Sequence, residues 1–177
     1  MRKYSGGLIF SSKDLSGFLG CRHRTFLDLR DQEDALPQAP EDEQAKLLKL
    51  KGIDHEMKYL QQLKNSGLQI IEVEKCTDPY EGAGRTLWAM KEGPDIISQA
   101  VLTLGKWHGY VDFLRRVDIP SDLGNFSYEV VDTKLALNPQ PKHLLQLCLY
   151  NDMLQPMQGV RPQNMSLVMG DSTVADF

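Results

Sequence analysis

The chain has 177 residues, 41% of them hydrophobic and 25% charged, with a formal net charge of −4. That length suits one domain with enough chain to bury a core. The acidic balance excludes a protein that coats nucleic acid through overall positive charge, while leaving room for an acidic catalytic site beside a local basic surface.

Met1 to Ser12 carries two basic residues and only a short apolar stretch, Leu8 to Phe10, a poor signal peptide. Residues 11–30 are expected as one helix. Ser11 or Ser12 can cap it, and Leu15, Phe18, Leu19, Phe26 and Leu29 recur at helical spacing. Residues 31–43 are acidic and hold Pro37 and Pro40, the composition of a solvated linker. A long helix follows over 41–66. Its expected core stripe is Leu47, Leu50, Ile53, Met57, Leu60 and Leu63, and Gly67 ends it.

Residues 68–75 alternate as a strand, and 82–92 form a short helix. Strands are expected at 95–104 and 107–117, turning near Gly105, and again at 127–135. A leucine-rich helix over 140–156 precedes a last strand at 165–169. This order predicts an α/β or α+β sheet with helices on both faces. No apolar run approaches the ~20 residues that span a bilayer. Cys21, Cys76 and Cys148 are widely separated, with no CxxC pair, so a reducing, cytoplasmic setting is the simpler reading. The chain reads as a single domain over 1–177, either compact in itself or the N-terminal part of a longer protein.

The chemistry concentrates in a few segments. In Tyr128-Glu-Val-Val-Asp-Thr-Lys134, alternation puts Asp132 and Lys134 on one strand face. Such a pair is costly to bury unless it is mutually satisfied or holds an ion. A carboxylate suits Mg²⁺, and a neighbouring lysine can orient water and offset charge on a phosphorus. Asp112 lies in the apolar stretch Val111-Asp-Phe-Leu114, where an acid is rarely buried without a partner. In Lys51-Gly-Ile-Asp-His-Glu56, His55 lies off the expected core stripe. Gly52, three residues earlier, implies a close approach on the same side. Gln146 and Tyr150 share one face of the leucine-rich helix.

Each segment also has a plain structural alternative, because short motifs recur by chance. Asp132 and Lys134 could form an exposed ion pair. Asp112 could face solvent or pair with Arg115 or Arg116. His55 could be a satisfied surface histidine, and Gln146 and Tyr150 the polar edges of a core helix.

Taken in order, the helix with His55, the strand with Asp112, Asp132-Thr-Lys134 and the Q-xxx-Y helix at 146–150 resemble the PD-(D/E)XK nucleases of the RecB type, including the CRISPR-associated exonucleases. The resemblance to RecB-family nuclease domains at the start of longer bacterial proteins covers nearly the whole chain. It is also carried by Ser12-Lys-Asp-Leu-Ser-Gly-Phe-Leu-Gly-Cys-Arg-His23, Leu135-Ala136 and Met169-Gly-Asp171. It implies an α/β fold with a restriction-endonuclease-like core, a central mixed sheet flanked by helices.

The resemblance further implies a Mg²⁺- or Mn²⁺-dependent deoxyribonuclease. His55, Asp112 and Asp132 would be metal ligands, with the Thr133 carbonyl a fourth. Lys134 would align the attacking water, and Gln146 and Tyr150 would form the auxiliary pair. Arg22, His23 and Arg24 make a small basic cluster suited to phosphate contact, or simply a solvated helix end. Related exonucleases often hold an iron–sulfur cluster. Cys21 matches its first ligand position, but no cysteine follows Cys148, so this chain cannot complete four thiolates alone. Glu129, three before Asp132, is expected to play a structural part. DNA is the implied partner, alongside further domains or a helicase-type partner, and no membrane. The alternative function is a non-catalytic nuclease-like module that binds DNA or a partner protein within a larger complex.

Overall fold

The computed structural model describes residues 1–37, 39–40 and 42–177. Gln38 and Glu41, both inside the segment expected as a linker, lie outside the described residues.

A short hairpin opens the chain, β1 (Arg2–Tyr4) and β2 (Gly7–Ile9). Two helices follow, α1 (Ser12–Gly20) and α2 (Arg22–Glu33), where one had been expected. The break is Cys21, which sits in extended backbone and ends one helix while opening the next. Asp42 caps α3 (Glu43–Asn65), its carboxylate accepting from the Gln44 N–H. Gly67, at φ 77°, ends the turn beyond it.

The remaining elements are β3 (Ile70–Glu72), α4 (Pro79–Glu92), β4 (Ile96–Leu104), β5 (Trp107–Val117), β6 (Ser127–Thr133), α5 (Pro141–Gln158), β7 (Met165–Val168) and β8 (Val174–Asp176). All the helices and strands expected from residue 41 onward are present, with shifted ends. The hairpin β1–β2 and strand β8 were not anticipated.

Six strands form one mixed sheet in chain order, β3-β4-β5-β6-β7-β8. The β3–β4 and β6–β7 pairs are parallel, joined through α4 and α5 respectively, and the other neighbours are antiparallel. The protein is therefore α/β, a mixed sheet flanked by helices. On one face, Ala89 and Met90 of α4 and Leu147, Tyr150, Met153 and Leu154 of α5 pack on Ile97, Leu102, Leu114 and Val130. On the other, Tyr59, Leu60 and Leu63 of α3 cover Ile96, Phe113, Val131 and Val168.

Two sequence expectations fail in α1–α3. The stripe along α3 is only half a core stripe. Leu60 and Leu63 meet the sheet, but Leu47, Leu50, Ile53 and Met57 are exposed, Leu50 to 64%. Phe18, Leu19, Phe26 and Leu29 on α1 and α2 are exposed as well. Helical spacing records that a stripe exists; it does not record that anything covers it. Nor does anything approach Gly52, where an added Cβ would meet open space.

The glycine that does accommodate a close approach is Gly109 in β5. A Cβ there would fall 2.8 Å from Cδ1 of Tyr150 and closer still to Cε1. Tyr150 is 3% exposed, so its ring has little room to retreat. The Gly109→Ala substitution is expected to lower unfolding free energy by about 1–3 kcal/mol through overpacking. Denaturant unfolding at fixed pH measures this, and a neutral result would show that the α5–β5 contact is slack.

Candidate functional site

The middle of the sheet contains a paired irregularity. Ser98 pairs with Phe113 and Ala100 with Val111, but Gln99 and Asp112 between them do not pair. Gln99 has φ 57°, and among the described non-glycine residues it alone has positive φ inside a strand; Ser5 and Ser172 lie between strands. Both strands change face here. Ile97 and Ala100, three apart, join the same core, as do Leu114 and Val111. In regular strands residues three apart would point to opposite faces.

Beside this irregularity β5 and β6 part. Their ladder runs from Val117↔Ser127 to Phe113↔Val131 and stops. The Asp112 carboxylate takes over: its Oδ2 accepts from the Thr133 N–H at 2.7 Å and from Thr133 Oγ1 at 2.6 Å. Asp132, one residue back on β6, is 2% exposed, and its Oδ2 accepts from the Lys134 ammonium. Lys134 is anchored by its own N–H donating to the Val168 carbonyl at 2.8 Å. The expected face-sharing of Asp132 and Lys134 is thus realised, and Asp112 turns to Thr133 rather than to Arg115 or Arg116.

From α3 comes Glu56, whose carboxylate accepts from the Gln99 side-chain amide. Burial, reinforced by the charge of Asp112, pushes Glu56 up to about 7, against the pull of its Gln99 hydrogen bond, Lys75 and Lys134. Burial likewise pushes Asp132 up to about 7, again with Asp112 adding to the rise, Lys134 opposing it and Glu56 contributing. Asp112, Asp132, Glu56 and Lys134 therefore share one electrostatic neighbourhood, with Lys75 acting on Glu56 as well, and burial is the main cause of both rises.

His55, expected to contribute from α3, sits differently. Its Nε2 lies 3.4 Å from the Val168 carbonyl, and it lines a separate surface hollow with Lys51, Asp54, Lys58 and Ser172. One residue along a helix is a rotation of ~100°, so His55 and Glu56 cannot face the same point equally. Among the described residues, no three His, Cys, Asp or Glu side chains converge as a ready-made cation cage. The donor chemistry nevertheless fits a hard divalent cation, since Glu56, Asp112 and Asp132 offer carboxylate oxygens and a bound cation would relieve the cost of ionising the buried acids.

Gln146 and Tyr150 do meet: the Gln146 amide donates to the Tyr150 hydroxyl at 2.7 Å. That hydroxyl donates to the Tyr110 carbonyl at 3.0 Å, fastening α5 to β5. Beside Lys134, a groove of about 560 Å³ runs between α1 and the start of α5, lined by Lys13, Arg24, Lys142, His143 and Gln146 among others. Burial, with Lys134 and Lys142 nearby, holds His143 below its usual value. Of the expected basic cluster, Arg24 reaches this groove and also pairs with Asp28 at 3.7 Å, while the Arg22 guanidinium lies 5.6 Å over the Phe18 ring. Cys21 edges the groove and is exposed, as is Cys148; Cys76 is partly buried, and all three thiols are free. Glu129 is buried and structural, accepting from the Asn164 N–H and side-chain amide.

Sequence inspection missed Glu56 and Gln99. Glu56 directly follows His55 on α3, and sequence alone does not say which of the two faces the sheet. Gln99 offers no local signal. No protein-family model matches the chain, and no curated protein does either.

The raised carboxyls make stability depend on pH. Asp132 and Glu56 rise from ordinary values of 3.8 and 4.5 to about 7 in the fold. Between those limits the native state keeps protons that the unfolded chain has released, so stability falls as pH rises through this window and levels off above it. The Asp132→Asn variant removes the buried charge. Its melting temperature above pH 7 is expected to exceed the parent's by about 2–4 °C, the shift that ~1 kcal/mol gives at this size. Equal melting temperatures at pH 5 and pH 8 in the parent would contradict this charge balance.

Proposed function

We propose that this chain is a divalent-cation-dependent nuclease of the PD-(D/E)XK type, built on a restriction-endonuclease-like core, that hydrolyses phosphodiester bonds in DNA. The observation that carries the reading is the neighbourhood of Asp112, Asp132, Glu56 and Lys134 at the parting of β5 and β6, beside a basic groove. A carboxylate cluster beside a basic groove suits a polyanion that is held by its flanking phosphates and cut at a cation.

Asp112, Asp132 and Glu56 would hold Mg²⁺ or Mn²⁺, with the Thr133 carbonyl beside them and Glu56 taking the part first expected of His55. When bound, the cation lowers the pKa of a water and offsets charge on a non-bridging oxygen. The two hydrogen bonds from Thr133 fix Asp112 by Oδ2 and leave Oδ1 for the cation. Lys134 aligns the attacking water, and its charge stabilises negative charge growing at phosphorus. Lys13, Arg24 and Lys142 bind flanking phosphates, and Gln146 contributes an amide from the groove wall. Tyr150 holds α5, the helix that carries Gln146, against β5.

A second reading is a non-catalytic module docked to a partner, and the exposed apolar side chains of α1–α3 favour it. Cleavage separates the two. With Mn²⁺ and DNA, Asp132→Ala is expected to lose both Mn²⁺ uptake and cleavage, and Glu56→Ala to lose cleavage while keeping a weakened Mn²⁺ uptake. Lys134→Ala is expected to keep Mn²⁺ uptake but cut about a hundredfold or more slowly. The Lys13→Ala/Lys142→Ala double variant should raise KM and flatten the salt dependence of binding. Cleavage unchanged by Asp132→Ala and Lys134→Ala would refute the assignment. Absence of Mn²⁺ uptake by the parent protein would favour the module.

A further inference from the structure

Gln99 is neither an acid nor a base, yet the backbone around it is distorted at a cost. A left-handed residue other than glycine costs roughly 1–2 kcal/mol, and such strain persists only where the surroundings over-determine it. Here they do. Beyond the irregularity, the Val101 N–H donates to Thr86 Oγ1 of α4 at 2.8 Å, and Thr86 Oγ1 in turn donates to the Gly82 carbonyl at 3.0 Å. On the near side, the Ser98 carbonyl accepts from the Val73 N–H at 2.9 Å. The chain is thus held on both sides of Gln99, by the parallel β3–β4 ladder before it and by Thr86 of α4 after it, so the distortion sits between two fixed points.

The distortion has one visible product. It takes Gln99 out of register with Asp112, and the Gln99 amide reaches across to the Glu56 carboxylate on α3. Glu56 belongs to a helix whose preceding residues are largely exposed, so α3 itself offers little to fix that side chain. An amide suits this task. It donates a hydrogen bond without bringing a positive charge that would compete with a cation for the carboxylate.

We propose that Gln99 is a positioning residue, held by its left-handed backbone at the paired irregularity of β4 and β5, that presents the Glu56 carboxylate to Asp112 and Asp132 for a shared divalent cation. This rests on the nuclease reading of that site.

The test is a double-mutant cycle read by Mn²⁺ calorimetry on the full chain, with thermal melting alongside. Gln99→Asn keeps an amide and tolerates left-handed backbone, but is one methylene too short to reach. Gln99→Ala removes the amide. Both variants should melt cooperatively and bind Mn²⁺ about tenfold more weakly than the parent. In a Glu56→Ala background, where the carboxylate is gone, Gln99→Asn should change residual affinity by less than about twofold.

Equal losses in both backgrounds, or no loss in either, would overturn the positioning role while leaving the nuclease reading standing. A parent protein that takes up no Mn²⁺ overturns both. If Gln99→Ala fails to fold, Gln99→Asn alone decides the outcome, since it retains the backbone preference.

Discussion

Asp132 is a carboxylate almost without solvent, set beside a second carboxylate, in the middle of a sheet. Burying such a charge is unfavourable unless it is paired or coordinated. The architecture around it follows from that constraint. Lys134 emerges two residues later on the same face and reaches Asp132. Asp112 stays ordered because β6 offers it a backbone N–H and a hydroxyl in place of the missing ladder pair. The opening that exposes this cluster exists because β5 and β6 separate there. A sheet continuously paired through 112 and 132 would have sealed the acids against each other.

The larger fold supplies rigidity to that opening. The parallel partner β7 fixes Thr133 opposite Val168, and the Val168 carbonyl then receives the Lys134 N–H, so the lysine leaves the strand in a defined direction. Helix α5 brings Tyr150 over Gly109, close enough to Asp132 and Asp112 for their charges to add to the effect of burial in raising its hydroxyl pKa. A glycine is needed there because the ring occupies the space of a Cβ. The Tyr150–Tyr110 hydrogen bond and this close approach hold α5 on β5, and the start of α5 and α1 line the basic groove. By contrast, α2 and α3 contain no fully buried residue. Their order derives from the Asp42 cap, exposed i,i+4 pairs such as Lys58–Asp54 and the partial cover that Tyr59, Leu60 and Leu63 provide. Each exposed pair contributes only a few tenths of a kcal/mol.

Much of this was legible in the residues. Strands β4 to β7 and helices α3 to α5 announce themselves through alternation, 3.6-residue spacing and glycine stops, all of which act locally. Asp132 and Lys134 could be placed on one face because period-2 geometry holds along β6. The same geometry could not reveal Gln99, since the distortion is imposed by Thr86 and the pairing of β5, both remote in sequence, and glutamine has no turn preference to betray it. His55 against Glu56 turns on the angular setting of α3 over the sheet. The apolar stripe would have fixed that setting had it all been buried. Because Leu47, Leu50, Ile53 and Met57 face solvent, the helix is oriented by only its second half, and the stripe did not reveal that Glu56 meets Gln99 while His55 meets the Val168 carbonyl.

The two raised carboxyls bear on how such a site is kept. A set of acids balanced entirely by lysines would lose little when solvated and would have small need of a cation. Here Lys134, Lys75 and one neutral amide act on three carboxylates, and burial still displaces both Asp132 and Glu56 to about 7. That imbalance destabilises the protein alone, by the linkage that makes its stability fall as protons leave. It also makes the site more attractive to a positive charge, since any ligand that binds only the folded state recovers part of that energy. Replacing Gln99 by a lysine would relieve the imbalance and satisfy Glu56 more strongly, but its charge would compete with the divalent ion we propose for the site. The amide donor on strained backbone therefore makes sense as a compromise in which a carboxylate is oriented without being neutralised.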